Sequence, residues 1–127
     1  MIFGIGTDLI EINRVVKACN REAFLKKVYT EQEQKLILSD IRKAASNFAV
    51  KEAVVKMFGT GFRAIVPNEI EVLRDELGKP YVTLYGKALL FAEEHSVKKI
   101  HVSITNTKEL VSAYVIGECV KRISKAP

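Results

Sequence analysis

One segment constrains this chain more than any other: Ala45-Ser46-Asn47-Phe48-Ala49-Val50-Lys51-Glu52-Ala53-Val54-Val55-Lys56-Met57-Phe58. At about 3.6 residues per turn, Ala45, Phe48, Ala49, Glu52, Ala53 and Lys56 share one stripe of a helix. Val50, Val54, Met57 and Phe58 lie opposite. A helix apolar on nearly every side belongs at the centre of a domain. Yet Glu52 and Lys56 sit on its small-residue face, and burying a charge is costly unless it is paired or holds an ion. Ser39-Asp40 can cap the start of this helix, and Gly59-Thr60-Gly61 stops it.

The flanking segments supply strands and shorter helices. Met1 to Asp8 reads as a strand in which Gly4 and Gly6 mark close backbone approach. Ile12, Val15, Val16 and Cys19 have helical spacing, and Thr30-Glu31-Gln32-Glu33 matches a capping box, which starts a short helix after Thr30. Glu69 to Arg74 and Tyr81 to Leu84 read as a hairpin joined by Asp75-Glu76-Leu77-Gly78-Lys79-Pro80. Gly86 to Glu94 is a short helix; Ile100 to Thr105 and Leu110 to Ile116 pair around Asn106-Thr107-Lys108-Glu109. Helices intermixed with mostly antiparallel strands predict an α+β fold, a mostly antiparallel sheet packed on the long buried helix. The length of 127 residues fits a single domain, 1–127.

Charge and cysteine usage narrow the partners. The net charge of +5 favours an acidic protein, a phosphorylated metabolite, nucleic acid or a membrane surface. No apolar run has the length of a membrane span, which argues against a membrane protein. Nor is there a zinc finger, a recognition-helix signature or an aromatic–basic interleaving suited to nucleic acid. Met1-Ile2-Phe3-Gly4-Ile5-Gly6 lacks the basic start of a signal peptide. With Cys19 and Cys119 at no metal-ligand spacing, reduced thiols and a cytoplasmic location are expected. Arg14, Lys17 and Arg21 recur at helical spacing, with Lys26 and Lys27 beyond, giving the first helix a basic face.

Two carboxylates stand out chemically. Mg²⁺ is typically held by one or two carboxylates plus substrate phosphates. Asp8 at a strand end and Glu52 on the long helix can form that pair, and Lys56, one turn on, can neutralise a phosphate. A structural Glu52–Lys56 pair at i,i+4 spacing is the competing reading. Gly4-Ile5-Gly6 does not extend to a dinucleotide fingerprint, and no Walker A pattern is present. His95 and His101 have no Ser or Cys at a motif spacing, which argues against a nucleophile–base system; His101 reads as a structural or binding residue.

These residues resemble those of the holo-[acyl-carrier-protein] synthases, the small bacterial type of 4'-phosphopantetheinyl transferase. The resemblance covers almost the whole chain. It rests on Gly4-Ile5-Gly6-Thr7-Asp8-Leu9, Phe48-Ala49-Val50-Lys51-Glu52-Ala53, Lys56 with Gly59-Thr60-Gly61, Gly78-Lys79-Pro80 and His101-Val102-Ser103-Ile104-Thr105. It implies transfer of phosphopantetheine from coenzyme A to a serine of apo acyl carrier protein in support of fatty acid biosynthesis. It also implies Mg²⁺ on Asp8 and Glu52, catalysis by Asp8, Glu52 and Lys56, and a homotrimer with sites between protomers. Lys51, Lys56, Gly78, Lys79, Pro80, His101, Ser103, Thr105 and Asn106 are implied coenzyme A contacts. Arg14, Lys17 and Arg21 are implied to meet the acidic carrier protein. Two positions depart from the family pattern: Asn47 stands where Arg is frequent, and Asn106 where His or another polar residue is frequent. Both changes remove charge or a proton donor near coenzyme A, a loss that Arg42, Lys43 or Lys108 could offset. The alternative is a non-catalytic α+β module that docks an acidic partner and needs neither Asp8 nor Glu52.

Overall fold

The computed structural model describes residues 1–120. The last seven positions of the expected 1–127 domain lie outside the described residues. Strand β1 (Ile2–Glu11) leads into helices α1 (Ile12–Ala18), α2 (Glu22–Val28), α3 (Glu31–Ser39) and α4 (Arg42–Phe58). A short 3-10 turn, Pro67–Glu69, precedes strands β2 (Ile70–Arg74) and β3 (Pro80–Leu84). Helix α5 (Gly86–Glu94) and strands β4 (Val97–Asn106) and β5 (Leu110–Cys119) follow. The strands form two antiparallel sheets, one ordered β1-β5-β4 and one pairing β2 with β3. The fold is α+β, as the pattern predicts.

Helix α4 is the hub. Ala44, Ala45, Ala49, Val50, Ala53, Val54 and Val55 on it are all essentially inaccessible to solvent. It lies directly on β1, where Gly6 and Gly4 face the Ala53 and Met57 carbonyls. A Cβ at either glycine would overlap those backbone oxygens, and one at Gly117 of β5 would overlap the Met57 thioether. The glycines therefore set how near the helix comes to the sheet. Gly59 ends α4 in the left-handed conformation (φ 83°), its N–H donating to Lys56 and Val55 carbonyls. At the other end, Asp40 Oδ1 accepts from the Arg42 N–H at 3.1 Å, while the Ser39 hydroxyl turns back to Leu36 O within α3. The cap thus falls to Asp40.

Register assigns each strand residue a face. Asp8 pairs with Ala113, and Ala113 with Ile104; these point inward with Gly6, Val115 and Val102. Thr7–Tyr114–Ser103, Ile5–Ile116–His101 and Leu9–Ser112–Thr105 form cross-strand rows on the outer face. That face exposes Ile5, Leu9, Tyr114 and Ile116.

Three expectations need correction. The first basic helix is two helices. Helix α1 ends at Ala18 and α2 starts at Glu22, so Arg14 and Lys17 lie on α1, whereas Arg21 is the residue before α2 and Lys26 and Lys27 lie on α2. The strands also run further than predicted: β1 to Glu11, β4 from Val97 and β5 to Cys119, because cross-strand pairing carries residues that alternate poorly on their own. Finally, the fully buried charge of α4 is Lys51, not Glu52 or Lys56.

Candidate active site

Asp8 reaches the site because β1 points its side chain inward against α4. Lys56 Nζ donates to Asp8 Oδ1 at 3.0 Å and to the Thr7 carbonyl at 3.1 Å. The partner of Lys56 is therefore Asp8; among the described residues no Glu52–Lys56 ion pair forms. The other oxygen, Asp8 Oδ2, is buried with no hydrogen-bond partner among the described residues. Glu52, half-buried on the same side of α4, has its carboxyl pushed above the ordinary range by burial and then by the charge of Asp8, with Lys56 opposing. Two carboxylates that feel each other's charge, one with an orphaned buried oxygen, fit a hard divalent cation. Carboxylate oxygens suit Mg²⁺ better than a thiol- or imidazole-seeking metal.

The other expected contacts divide into separate places. Gly78, Pro80 and Asn106 line a polar hollow of about 240 Å³ with Arg42, Lys43, Ser46, Arg74 and Asp40, the last paired with Lys43 at 3.0 Å. Lys79, Pro80 and His101 border a second, of about 370 Å³, with Asp75 and Tyr81. His101, Ser103 and Thr105 lie on the outer sheet face, opposite to Asp8, and His101 pairs with Glu118 at 2.8 Å.

Lys51 is a correction. Its side chain is wholly buried and its ammonium is held by Glu33 Oε1 at 2.7 Å, Pro67 O at 3.0 Å and Ile70 O. With all its donors engaged inside the protein, it has none for coenzyme A. Asn47 is buried as well, donating to Glu33 Oε2 and Val72 O, so its departure from the family pattern alters the core and not a ligand surface. The sequence carried a signal for this cluster: Asn47 and Lys51 are polar residues one turn apart on an otherwise apolar side of α4. Also unforeseen is a largely apolar hollow of about 240 Å³ lined by Ile10, Val15, Ala18, Phe24 and Phe48 together with Glu11 and Arg14.

The family model of the 4'-phosphopantetheinyl transferase superfamily matches residues 4–118. The chain belongs to that superfamily. Among phosphopantetheinyl transferase relatives, the holo-[acyl-carrier-protein] synthase of Lachnoclostridium phytofermentans is 83% identical over 95% of this chain and 99% of its own. That of Halothermothrix orenii is 43% identical over 93% and 98%. The solved Neisseria meningitidis synthase superposes with TM-score 0.83 at 33% identity, covering 93% of this chain and 99% of that one. A Bacillus anthracis synthase solved in complex with CoA (3',5'-ADP) superposes with TM-score 0.77 at 32% identity, covering 94% and 99%.

Proposed function

We propose that this phosphopantetheinyl transferase moves the 4'-phosphopantetheine moiety of coenzyme A to a serine of apo acyl carrier protein, giving holo acyl carrier protein and adenosine 3',5'-bisphosphate. The observation that carries the reading is the Asp8–Glu52–Lys56 cluster, with its orphaned buried oxygen, at the contact of β1 and α4. Mixing the protein with coenzyme A, Mg²⁺ and apo carrier protein, then weighing the carrier by mass spectrometry, tests it. A carrier of unchanged mass at every divalent-ion concentration overturns it.

Asp8 and Glu52 are the residues that would hold Mg²⁺, and a bound ion would supply charge neutralisation at the coenzyme A diphosphate. Phosphoryl transfer asks a protein mainly for positioning and fixed positive charge. Lys56 provides such a charge at the mouth of the site, and the nucleophilic serine belongs to the carrier. Coenzyme A also needs anion contacts remote from the reacting centre. The hollow of Arg42, Lys43 and Arg74 beside Gly78, Pro80 and Asn106, three cations against the one carboxylate of Asp40, would supply them and would offset the charge that Asn106 lacks. Asp8 and the residues His101, Ser103 and Thr105 are on opposite sheet faces. One coenzyme A touching both sets is reached most simply between protomers, and the exposed Ile5, Leu9, Tyr114 and Ile116 give such an assembly, a homotrimer, its apolar contact. We place the enzyme, as one domain, in the cytoplasm with these substrates.

Lys56 makes a two-sided prediction. Its side chain is 53% exposed, so Lys56→Met should shift stability little. Turnover should fall on the order of tenfold or more, as a fixed charge at the diphosphate is lost. Yet Mn²⁺ affinity measured without coenzyme A should rise, because Lys56 no longer competes for Asp8. A drop in melting temperature with normal kinetics would return Lys56 to a structural role.

Arg14 and Lys17 project from α1, with Arg21 at the turn beyond. Arg14 lines the hollow of Phe24 and Phe48; Glu11 lines it too, so the positive surplus comes from Arg14 with Lys17, which suits an acidic helix carrying one apolar side chain. Charge complementarity mainly speeds encounter and is screened by salt. Arg14→Glu with Lys17→Glu should therefore raise KM for the carrier by about tenfold at low salt and leave coenzyme A affinity unchanged. Steady-state kinetics against ionic strength decides; unchanged carrier kinetics would remove α1 from the interface.

A further inference from the structure

We propose that Glu33 and Lys51 are positioning residues for Glu52: the buried pair fixes the rotation of α4 about its own axis and so aims Glu52 and Lys56 at Asp8. The inference rests on the reading of Asp8 and Glu52 as divalent-cation ligands. Lys51 precedes Glu52, and successive helix residues point about 100° apart. Holding Lys51 against α3 and the start of β2 therefore directs Glu52 toward β1.

The ammonium and the carboxylate of the pair are fully engaged, although Asn47 Oδ1 beside them is buried without a partner among the described residues. All the donors of the ammonium are used, by Glu33 Oε1, Pro67 O and Ile70 O. Glu33 Oε1 also accepts from the Thr30 N–H at 3.0 Å, and Oε2 accepts from Asn47 Nδ2 at 3.0 Å and the Val72 N–H at 3.1 Å. Asn47 Nδ2 further donates to Val72 O at 2.8 Å. Helix α4 is thus tied at Asn47 and Lys51, one turn apart, to α3 and β2. Burial pushes Glu33 up and Lys51 down from their ordinary values, and the partners oppose both shifts.

The opposite side of α4 holds it less firmly. There the helix lies close on Gly4 and Gly6, and its polar tie to β1 is the half-exposed Lys56, which reaches Asp8 and the Thr7 carbonyl. Close backbone contact sets separation more than rotation, and an exposed lysine is a looser hold than a buried one. A roll of roughly 20° moves a carboxylate about 5–6 Å from the helix axis by about 2 Å. Metal–ligand distances tolerate only about 0.2 Å. An apolar pair of the same volume can match a buried ion pair in stability but not in direction.

Mn²⁺ binding, followed by electron paramagnetic resonance in the absence of coenzyme A, tests the proposal on three variants. Lys51→Met leaves Glu33 without its counter-ion and should lower the melting temperature. Glu33→Gln with Lys51→Met removes both charges and should recover much of that loss. The proposal expects Mn²⁺ affinity to stay reduced about tenfold or more in both variants, as for other residues that orient a metal ligand. It further expects kcat to fall and KM for the carrier to hold. A folded double variant with wild-type Mn²⁺ affinity overturns it. So does failure of both variants to fold, which would make the pair purely structural. Asp8→Ala is the control: if it too binds Mn²⁺ normally, the ligand assignment has failed, not the role of the pair.

Discussion

Asp8→Asn should abolish nearly all transfer while the protein stays folded. The change keeps the shape of the side chain and removes the charge that, with Glu52, suits a divalent cation. Losing one preorganised electrostatic contact at a reacting phosphate costs on the order of 10²–10³ in turnover. Glu52→Gln should act alike, and the two together should cost little more than either alone, since both serve one ion. Stability should move the other way. Asp8 Oδ2 is buried without a partner and Glu52 already carries a burial penalty, so the melting temperature should hold or rise slightly. The mass-shift assay and a thermal melt, run on the same preparations, check both halves. Full activity in a folded Asp8→Asn or Glu52→Gln protein would sink the ligand assignment.

Gly6→Ala should be as damaging from the opposite direction. One methyl group placed there overlaps the Ala53 carbonyl, a backbone atom that cannot swing aside. Either β1 or α4 must retreat. Overpacking of a core costs about 1–3 kcal/mol and more where backbone has to move. At the upper figure, the melting temperature of a domain this size falls by roughly 10 °C or more. Ala53 follows Glu52, so the same retreat widens the gap between Glu52 and Asp8. Activity should fall further than the folded fraction does. Thr7→Ala, next door but on the outer face, is the control for strand propensity. A Gly6→Ala protein with unaltered melting and turnover would mean that α4 does not depend on this contact.

Much of this arrangement was legible in the sequence, for local reasons. The apolar perimeter of α4 announced the central helix, Gly59 its end, Thr30 and Glu33 the start of α3, and Gly4 and Gly6 the close approach of another backbone. Asp8 and Glu52 are singled out by their motifs, since nothing local distinguishes an Asp on a strand from a turn residue. What was not legible depends on distant partners. Glu33 looked fully employed as a capping residue, which hid its bond to Lys51. Lys51 reads from the motif as a coenzyme A contact because its true acceptors, the Pro67 and Ile70 carbonyls, are fixed only once the chain has folded. The basic stripe was drawn too long because helical spacing continued in the letters after α1 had ended at Ala18. The face of the sheet on which His101, Ser103 and Thr105 stand follows from register, which no single strand reveals.

The capping box of α3 has a consequence for the order in which this protein assembles. In an isolated peptide, Thr30 and Glu33 would close the first turn by themselves, with the carboxylate in water. Here that carboxylate is fully buried. Desolvating it before Lys51 arrives is unfavourable, and desolvating Lys51 before Glu33 arrives is equally so. Neither α3 nor α4 gains by docking first; they and β2 must close around the charge pair together. Folding intermediates with α3 docked alone should be missing from stopped-flow records. Backbone amides of α3, a helix of only 9 residues, should exchange with deuterium no faster than those of α4. Fast exchange confined to α3 would show that the turn opens without breaking the pair. A motif that elsewhere marks an independent beginning should, in this chain, be sealed only together with α4 and β2.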